Sequence, residues 1–284
     1  MPLARTVDLR ALAERIANAL PPMVEEVVLT GSVSRGVADE VSDIEMLVVT
    51  AEPLGLTACF EHARAAGLTE LGTWGEQATP ARRVSGYREG VPIELIWWPR
   101  DYADESVDGL LGGAAPSSAD ALANGVALRT VGLLASWQAR LGDYPEELAA
   151  RRIEEAALTW GGFAPAGFLT LARPGERLAL VERLLDDASR VVTIVYALNR
   201  VWQPTHKRLA ARTAALAIKP VWLAERIEEA LTEPGPRRAM LVMTEVQAET
   251  VALAPPGPNV ERARLWLPEV AQVLREAQQS ASRL

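Results

Sequence analysis

Residues 27–50 read VVLTGSVSRGVADEVSDIEMLVVT. Two apolar runs, each the length of a strand, enclose a Gly31-Ser32 pair and a stretch of small and polar residues. The second run opens with Asp43 and Glu45, one residue apart. Residues i and i+2 of a strand share a face, so these two acids point the same way, while Ile44, Met46 and Val48 take the other side. Leu47 and Val49 continue the acid face as apolar surface. The pattern therefore predicts a strand buried on both sides, with charge only at its mouth.

The flanking sequence extends this frame. Leu9, Leu12, Ile16 and Leu20 repeat at helical spacing and stop at Pro21-Pro22, predicting a helix over 7–20. Residues 23–30 read as a strand broken by Gly31-Ser32, 33–38 as a short helical turn, and 44–49 as a second strand. Residues 57–66 look helical, with Gly67 as the stop. RRVSGYREGVPIELIWW reads as a hairpin around Glu89-Gly90, its second arm running to Trp98 before Pro99. After the Gly/Pro/Ser-rich GLLGGAAPSS (109–118) helical periodicity takes over, at 119–141, 145–159, 175–202, 206–216, 220–232, 236–252 and 260–280. The expected architecture is α+β: a mixed-sheet domain with helices over 1–112, then an all-α helical bundle over 113–284.

A third acid, Glu94, lies in the strand VPIELIWW, with Ile93 and Leu95 directed opposite. If that strand lies beside 43–49, three carboxylates converge. Like charges in a partly desolvated setting repel, and a divalent cation relieves them; hard carboxylate oxygens suit Mg²⁺. Three acids also match the needs of a two-ion centre for phosphoryl or nucleotidyl transfer. Gly31 at a strand-to-helix turn lets a phosphate approach the backbone. Ser32 adds a hydroxyl there, and Arg35 lies within reach of the same anion.

Composition narrows the partners. The net charge of -8 and pI near 5.1 argue against nucleic acid as a partner, whose binders usually carry a basic face. An acidic cleft suits a cationic small molecule better. The run VVTIVYAL at 191–198 falls far short of the roughly 18 residues that a membrane span needs. Asp8, Arg10, Glu14 and Arg15 interrupt the start of the chain where a signal peptide would be apolar. With Cys59 the only cysteine, there is neither an intrachain disulfide nor a cysteine cluster for zinc. A cytoplasmic protein without membrane contact is the expectation.

The segment GSVSRGVADEVSDIE resembles the signature of the DNA polymerase β-like nucleotidyltransferase superfamily. Its nearest likeness is to kanamycin (aminoglycoside) nucleotidyltransferases, on Gly31, Ser32, Arg35 and Ser42 to Met46, with Glu94 in PIELIW matching the third acid. The resemblance covers about residues 27–98. It implies a five-stranded mixed sheet with helices, Mg²⁺ (two ions) held by Asp43 and Glu45, and Glu94 as either a further metal ligand or the general base. It implies ATP or another nucleoside triphosphate as donor, contacted by Gly31, Ser32, Arg35 and Ser42. A nucleoside monophosphate, AMP in the ATP case, would pass to a hydroxyl of a small acceptor such as an aminoglycoside-like antibiotic. Some members build the site across a homodimer interface, and the sequence leaves the oligomeric state open.

The second half departs from the kanamycin enzyme. RIEEAALTWGGF does not reproduce that family's catalytic glutamate and phosphate-binding lysine. YALNRVWQPTHKRL (196–209) instead looks like a segment of another nucleotidyltransferase group, with Asn199, Arg200, Pro204 and Lys207, and makes Lys207 a candidate triphosphate contact. Asp186 and Arg190 form an i,i+4 pair, read as an ordinary surface ion pair. Asp187 is a weaker candidate for holding the acceptor. His62 and His206 show no ligand pattern. Trp97, Trp98 and Trp202 read as core or interface residues, or as a stacking surface. Two rival functions remain: nucleotidylation of a protein or RNA acceptor, and a non-catalytic nucleotide-binding module.

Overall fold

The computed structural model describes residues 4–75, 79–161, 167–173 and 175–281. The chain forms two compact units that divide between Asp143 and Tyr144. The boundary expected at 112/113 falls inside the first of them.

The first unit is a six-stranded mixed sheet with helices. Its elements run α1 (Ala4–Ala19), β1 (Val24–Leu29), α2 (Gly31–Ser34), β2 (Ile44–Thr50), α3 (Leu56–Ala65), β3 (Thr69–Gly72), β4 (Arg82–Arg88), β5 (Val91–Pro99), α4 (Arg100–Leu111), α5 (Pro116–Ala123), β6 (Val126–Arg129) and α6 (Leu133–Leu141). The strand order is β3-β4-β5-β2-β1-β6. Among the described strands, only β2 and β5 pair in parallel. Glu89 (φ 54°) and Gly90 (φ 74°) form the two-residue turn between β4 and β5, the paired left-handed geometry that matches strand twist.

The period-2 pattern sorts the sheet into two faces. Ile44, Met46, Val48, Val84, Ile93, Leu95 and Trp97 join one core with Leu9, Leu12 and Ile16 of α1 and Cys59 and Ala63 of α3. The opposite face carries Glu45, Leu47 and Val49 of β2 with Glu94 and Ile96 of β5, and α4 packs on both strands. Glu26, fully buried on that face, anchors α6. Its carboxylate accepts hydrogen bonds from the Val131, Leu133 and Leu134 amides at 3.0, 3.2 and 3.3 Å and from the Thr130 hydroxyl at 3.0 Å. The Leu133 and Leu134 amides are orphan donors of a helix N-terminus, which favours a negative charge.

Two expectations are corrected here. The sheet has six strands rather than five, and 119–141 is not one helix but α5, β6 and α6. Glycines at both ends of β6 explain the break. A Cβ at Gly125 would lie 2.7 Å from Cγ1 of Val28, so only glycine lets the chain come this close to β1, and Gly132 turns at φ 100°. Arg129 then ties β6 to the end of α1, donating to the carbonyls of Ala17, Leu20 and Pro21 at 2.6–3.0 Å.

The second unit is helical: α7 (Glu146–Ala157), a 3₁₀ turn (Leu158–Gly161), α8 (Phe168–Leu171), α9 (Arg177–Leu198), α10 (Leu209–Ala214), α11 (Leu223–Thr232), α12 (Pro236–Leu253) and α13 (Pro258–Ala281). Its core joins Ile153, Trp160, Val191, Val195, Ile227, Met243, Val246, Val260, Leu267 and Leu274. No helix among the described residues is long and apolar enough to cross a membrane.

Candidate active site

The site forms where β1 ends and β2 begins. Glu45 lies directly across from Glu94 in the parallel register of β2 and β5, so both carboxylates leave the same face of the sheet. Asp43, half-buried, precedes β2 by one residue. Burial raises the Glu94 pKa above the usual glutamate value; the charges of Glu45 and Asp43 raise it further, against the opposing pull of Arg83. Glu94 therefore feels the charge of both other sequence-predicted acids.

One oxygen of Glu94, Oε1, is buried and has no hydrogen-bond partner. Such an orphan is costly, and a ligand or ion would satisfy it. Among the described residues, no group of three acid, His or Cys side chains is already gathered closely enough to hold a metal ion. The fit to Mg²⁺ thus rests on the donor set, the hard carboxylates of Glu45 and Glu94 on one face with Asp43 just before β2, and on the unsatisfied Glu94 oxygen.

Gly31 fixes the Glu45 side chain. It adopts φ 71°, and a Cβ there would lie 2.2 Å from Oε2 of Glu45. Any side chain would occupy the space of the carboxylate. The Thr30 amide donates to the Glu45 carbonyl at 2.9 Å, binding the turn after β1 to the start of β2.

The remaining predicted residues divide. Ser32 is half-buried in α2, next to Gly31. Arg35 stays at this turn but points inward: it donates to the Gly31 carbonyl at 2.8 Å and pairs with Asp120 of α5 at 2.5 Å, both side chains largely buried. Ser42 closes its own turn, donating to Asp39 Oδ1 at 2.8 Å and accepting from the Asp39 amide at 2.9 Å. Lys207 lies in the helical unit, exposed in the turn before α10. In the same segment, Asn199 bonds the Val195 carbonyl and both backbone groups of Ile218, and Arg200 pairs with Glu146.

Asp187 is a core anchor rather than a surface acid. It accepts from Trp160 Nε1 at 2.9 Å and from Arg183 Nε at 2.8 Å, and burial is the main cause of its raised pKa. Asp186 and Arg190 make the expected surface pair at 2.8 Å. Trp97 is buried in the sheet core and Trp98 meets Tyr102 edge-on at 5.6 Å. Trp202 is buried against Tyr144, with ring centroids 4.5 Å apart. A cavity of about 680 Å³ lies among α9, α10 and α11, lined by Leu185, Val192, Leu209 and Ile227 with His206 and Glu228. It contains none of the predicted site residues.

The sequence reading missed Arg83 and Trp74. Arg83 faces the carboxylates from β4, and its guanidinium carbon sits 4.3 Å from the centroid of the Trp74 ring. Period-2 alternation in RRVSGYR, aligned across the Glu89-Gly90 turn, places Arg83 on the Glu94 face and was the available signal.

No family model and no curated protein matches the chain. Among solved structures it is similar to a nucleotidyltransferase-like protein from Exiguobacterium sibiricum, at 13% identity over 96% of this chain and 75% of that one, with a TM-score of 0.34. It is also similar to terminal uridylyl transferase 4 from Trypanosoma brucei with bound GTP, at 14% identity over 70% of this chain and 54% of that one, with a TM-score of 0.25. The match thus spans about half the length of the uridylyl transferase.

Proposed function

We propose that this protein is a nucleotidyltransferase that moves a nucleoside monophosphate, AMP from ATP, onto a hydroxyl of a small cationic acceptor of the aminoglycoside kind. The observation that carries the reading is the in-register pair Glu45 and Glu94 on parallel strands, with the charge of Asp43 beside it and one Glu94 oxygen unsatisfied. Asp43 and Glu45 would hold magnesium, with Glu94 at its edge; the bound ion would neutralise charge on the triphosphate and polarise the attacked phosphate.

The chain's own groups have distinct tasks. The acceptor oxygen forms a bond to the α-phosphorus as the bond from that phosphorus to the bridging oxygen breaks, and pyrophosphate carries the released electron pair away. The acceptor proton goes to Glu94, whose raised pKa suits a general base. Gly31 leaves the space in which the Glu45 carboxylate stands. The negative face concentrates a polyamine acceptor and disfavours RNA. As in other phosphoryl transfers, positioning and charge neutralisation supply most of the rate.

Transfer of radiolabelled AMP from ATP to a panel of aminoglycosides and lincosamides, with magnesium, tests the reading. Activity in the wild type and its loss in Asp43→Ala is the expected result. Equal transfer by both proteins overturns the mechanism. A mass shift on a co-purifying protein would redirect the acceptor to a protein hydroxyl. ATP binding indifferent to magnesium, without transfer, would favour a non-catalytic module.

A further inference from the structure

We infer that Arg83, laid flat on the indole of Trp74, is the phosphate-binding cation of the carboxylate face. The inference rests on the nucleotidyltransferase reading and adds a ligand contact that the resemblance does not supply. Four observations converge on it.

The first is placement. Ser85 lies across from Glu94 and Arg83 across from Ile96, so Arg83 leaves the same face as Glu94, on the diagonal. Diagonal neighbours in an antiparallel pair stand about 7–8 Å apart along the backbone, within reach of long side chains and close enough to share one ligand. The charge of Arg83 is felt at Glu94, where it opposes the effects of Glu45 and Asp43.

The second is the lack of an internal task. Arg35, Arg100 and Arg140 of this unit pair with Asp120, Glu25 and Asp108, and Arg129 ties down three carbonyls. Among the described residues, the Arg83 side chain makes neither an ion pair nor a hydrogen bond. A half-buried guanidinium carries five donors, and among the described residues none of them is used.

The third is that the group is held in place. The Trp74 ring packs 4.3 Å from the guanidinium carbon while staying half exposed. Gly75, at φ 89°, completes the seat: a Cβ there would lie 3.1 Å from Nη1 of Arg83. Stacking on an aromatic face leaves the planar donor edge of arginine free and orders the side chain in advance. A fork ordered before binding loses less entropy when an anion arrives.

The fourth is charge. Three carboxylates would repel a bare triphosphate. A magnesium–triphosphate complex presents both signs, metal toward the acids and anionic oxygens beyond it. A fixed guanidinium on the same face fits those oxygens, and its fork matches phosphate geometry.

Titration calorimetry on the full chain, with magnesium, tests this using inorganic tripolyphosphate and a nonhydrolysable ATP analogue. Arg83→Gln should weaken both ligands by roughly 10- to 100-fold, the loss expected for a charge-assisted hydrogen bond. Arg83→Lys should recover part of the affinity. Trp74 is a positioning residue, so Trp74→Phe should bind nearly as the wild type does, and Trp74→Ala should fall between the wild type and Arg83→Gln. Wild-type affinity for tripolyphosphate in Arg83→Gln overturns the assignment and leaves the nucleotidyltransferase reading intact. A wild type that binds neither ligand overturns both.

Discussion

Glu45 and Glu94, forty-nine residues apart in the chain, stand opposite each other in register on neighbouring parallel strands and face the same side of the sheet. Burial, Glu45 and Asp43 all disfavour the charged form of Glu94, and Arg83 opposes them.

That imbalance predicts how stability depends on pH. The native pKa of Glu94 is raised above its ordinary 4.5. Between that value and the native one, the folded state binds more protons than the unfolded state, so this group's contribution to stability falls as pH rises through the window. Glu94→Gln should therefore melt above the wild type at pH 7, with the gap closing at pH 4. Scanning calorimetry at both values checks it; a variant that melts below the wild type at pH 7 contradicts the electrostatic account. The same variant should lose nucleotidyl transfer by roughly 100-fold or more.

Gly31→Ala should damage the site and the fold together. The left-handed backbone costs an alanine on the order of 1 kcal/mol, and the new methyl would collide with the Glu45 carboxylate. Chemical denaturation should report the loss of stability. Magnesium-dependent ATP binding should fall further than that loss explains, because the displaced group is one of the three acids.

Asp120→Ala removes one partner of a largely buried ion pair and leaves the Arg35 charge behind. Breaking such a pair from one side costs about 3 kcal/mol or more. Urea unfolding should show this, with Asp120→Asn milder because Asn can still accept from Arg35. If stability is unchanged in the alanine variant, Arg35 is better viewed as a ligand contact than as an internal tie.

Glu26→Ala should be among the most destabilising changes in the sheet unit. It leaves three backbone amides and the Thr130 hydroxyl without their acceptor at the start of α6. Hydrogen bonds to a charged group are worth about 1.5–3 kcal/mol each, so a loss of about 3 kcal/mol or more is expected. Hydrogen exchange should show the amides of Leu133 and Leu134 losing protection first, which separates local fraying from a general loss of stability.

Short-range rules made much of this protein legible in its sequence. Alternation at period 2 placed Glu45 and Leu47 on one side of β2 and Ile44 and Met46 on the other, breakers marked most element ends, and Glu89-Gly90 announced its hairpin, because each signal is carried by residues within a few positions of one another. The helical second half followed from periodicity in the same way. Long-range pairing decided the rest. Only the parallel union of β2 with β5 puts Glu94 beside Glu45, and only the fit of Gly125 against Val28 turns a helical-looking stretch into a sixth strand. Partner choice was equally hidden: Arg35 meets Asp120 across 85 residues, Asp187 meets Trp160 inside the helical core, and Arg83 finds the Trp74 indole. Periodicity states which way a side chain points; what it meets depends on how both faces of the sheet are buried, and that is a property of the whole fold.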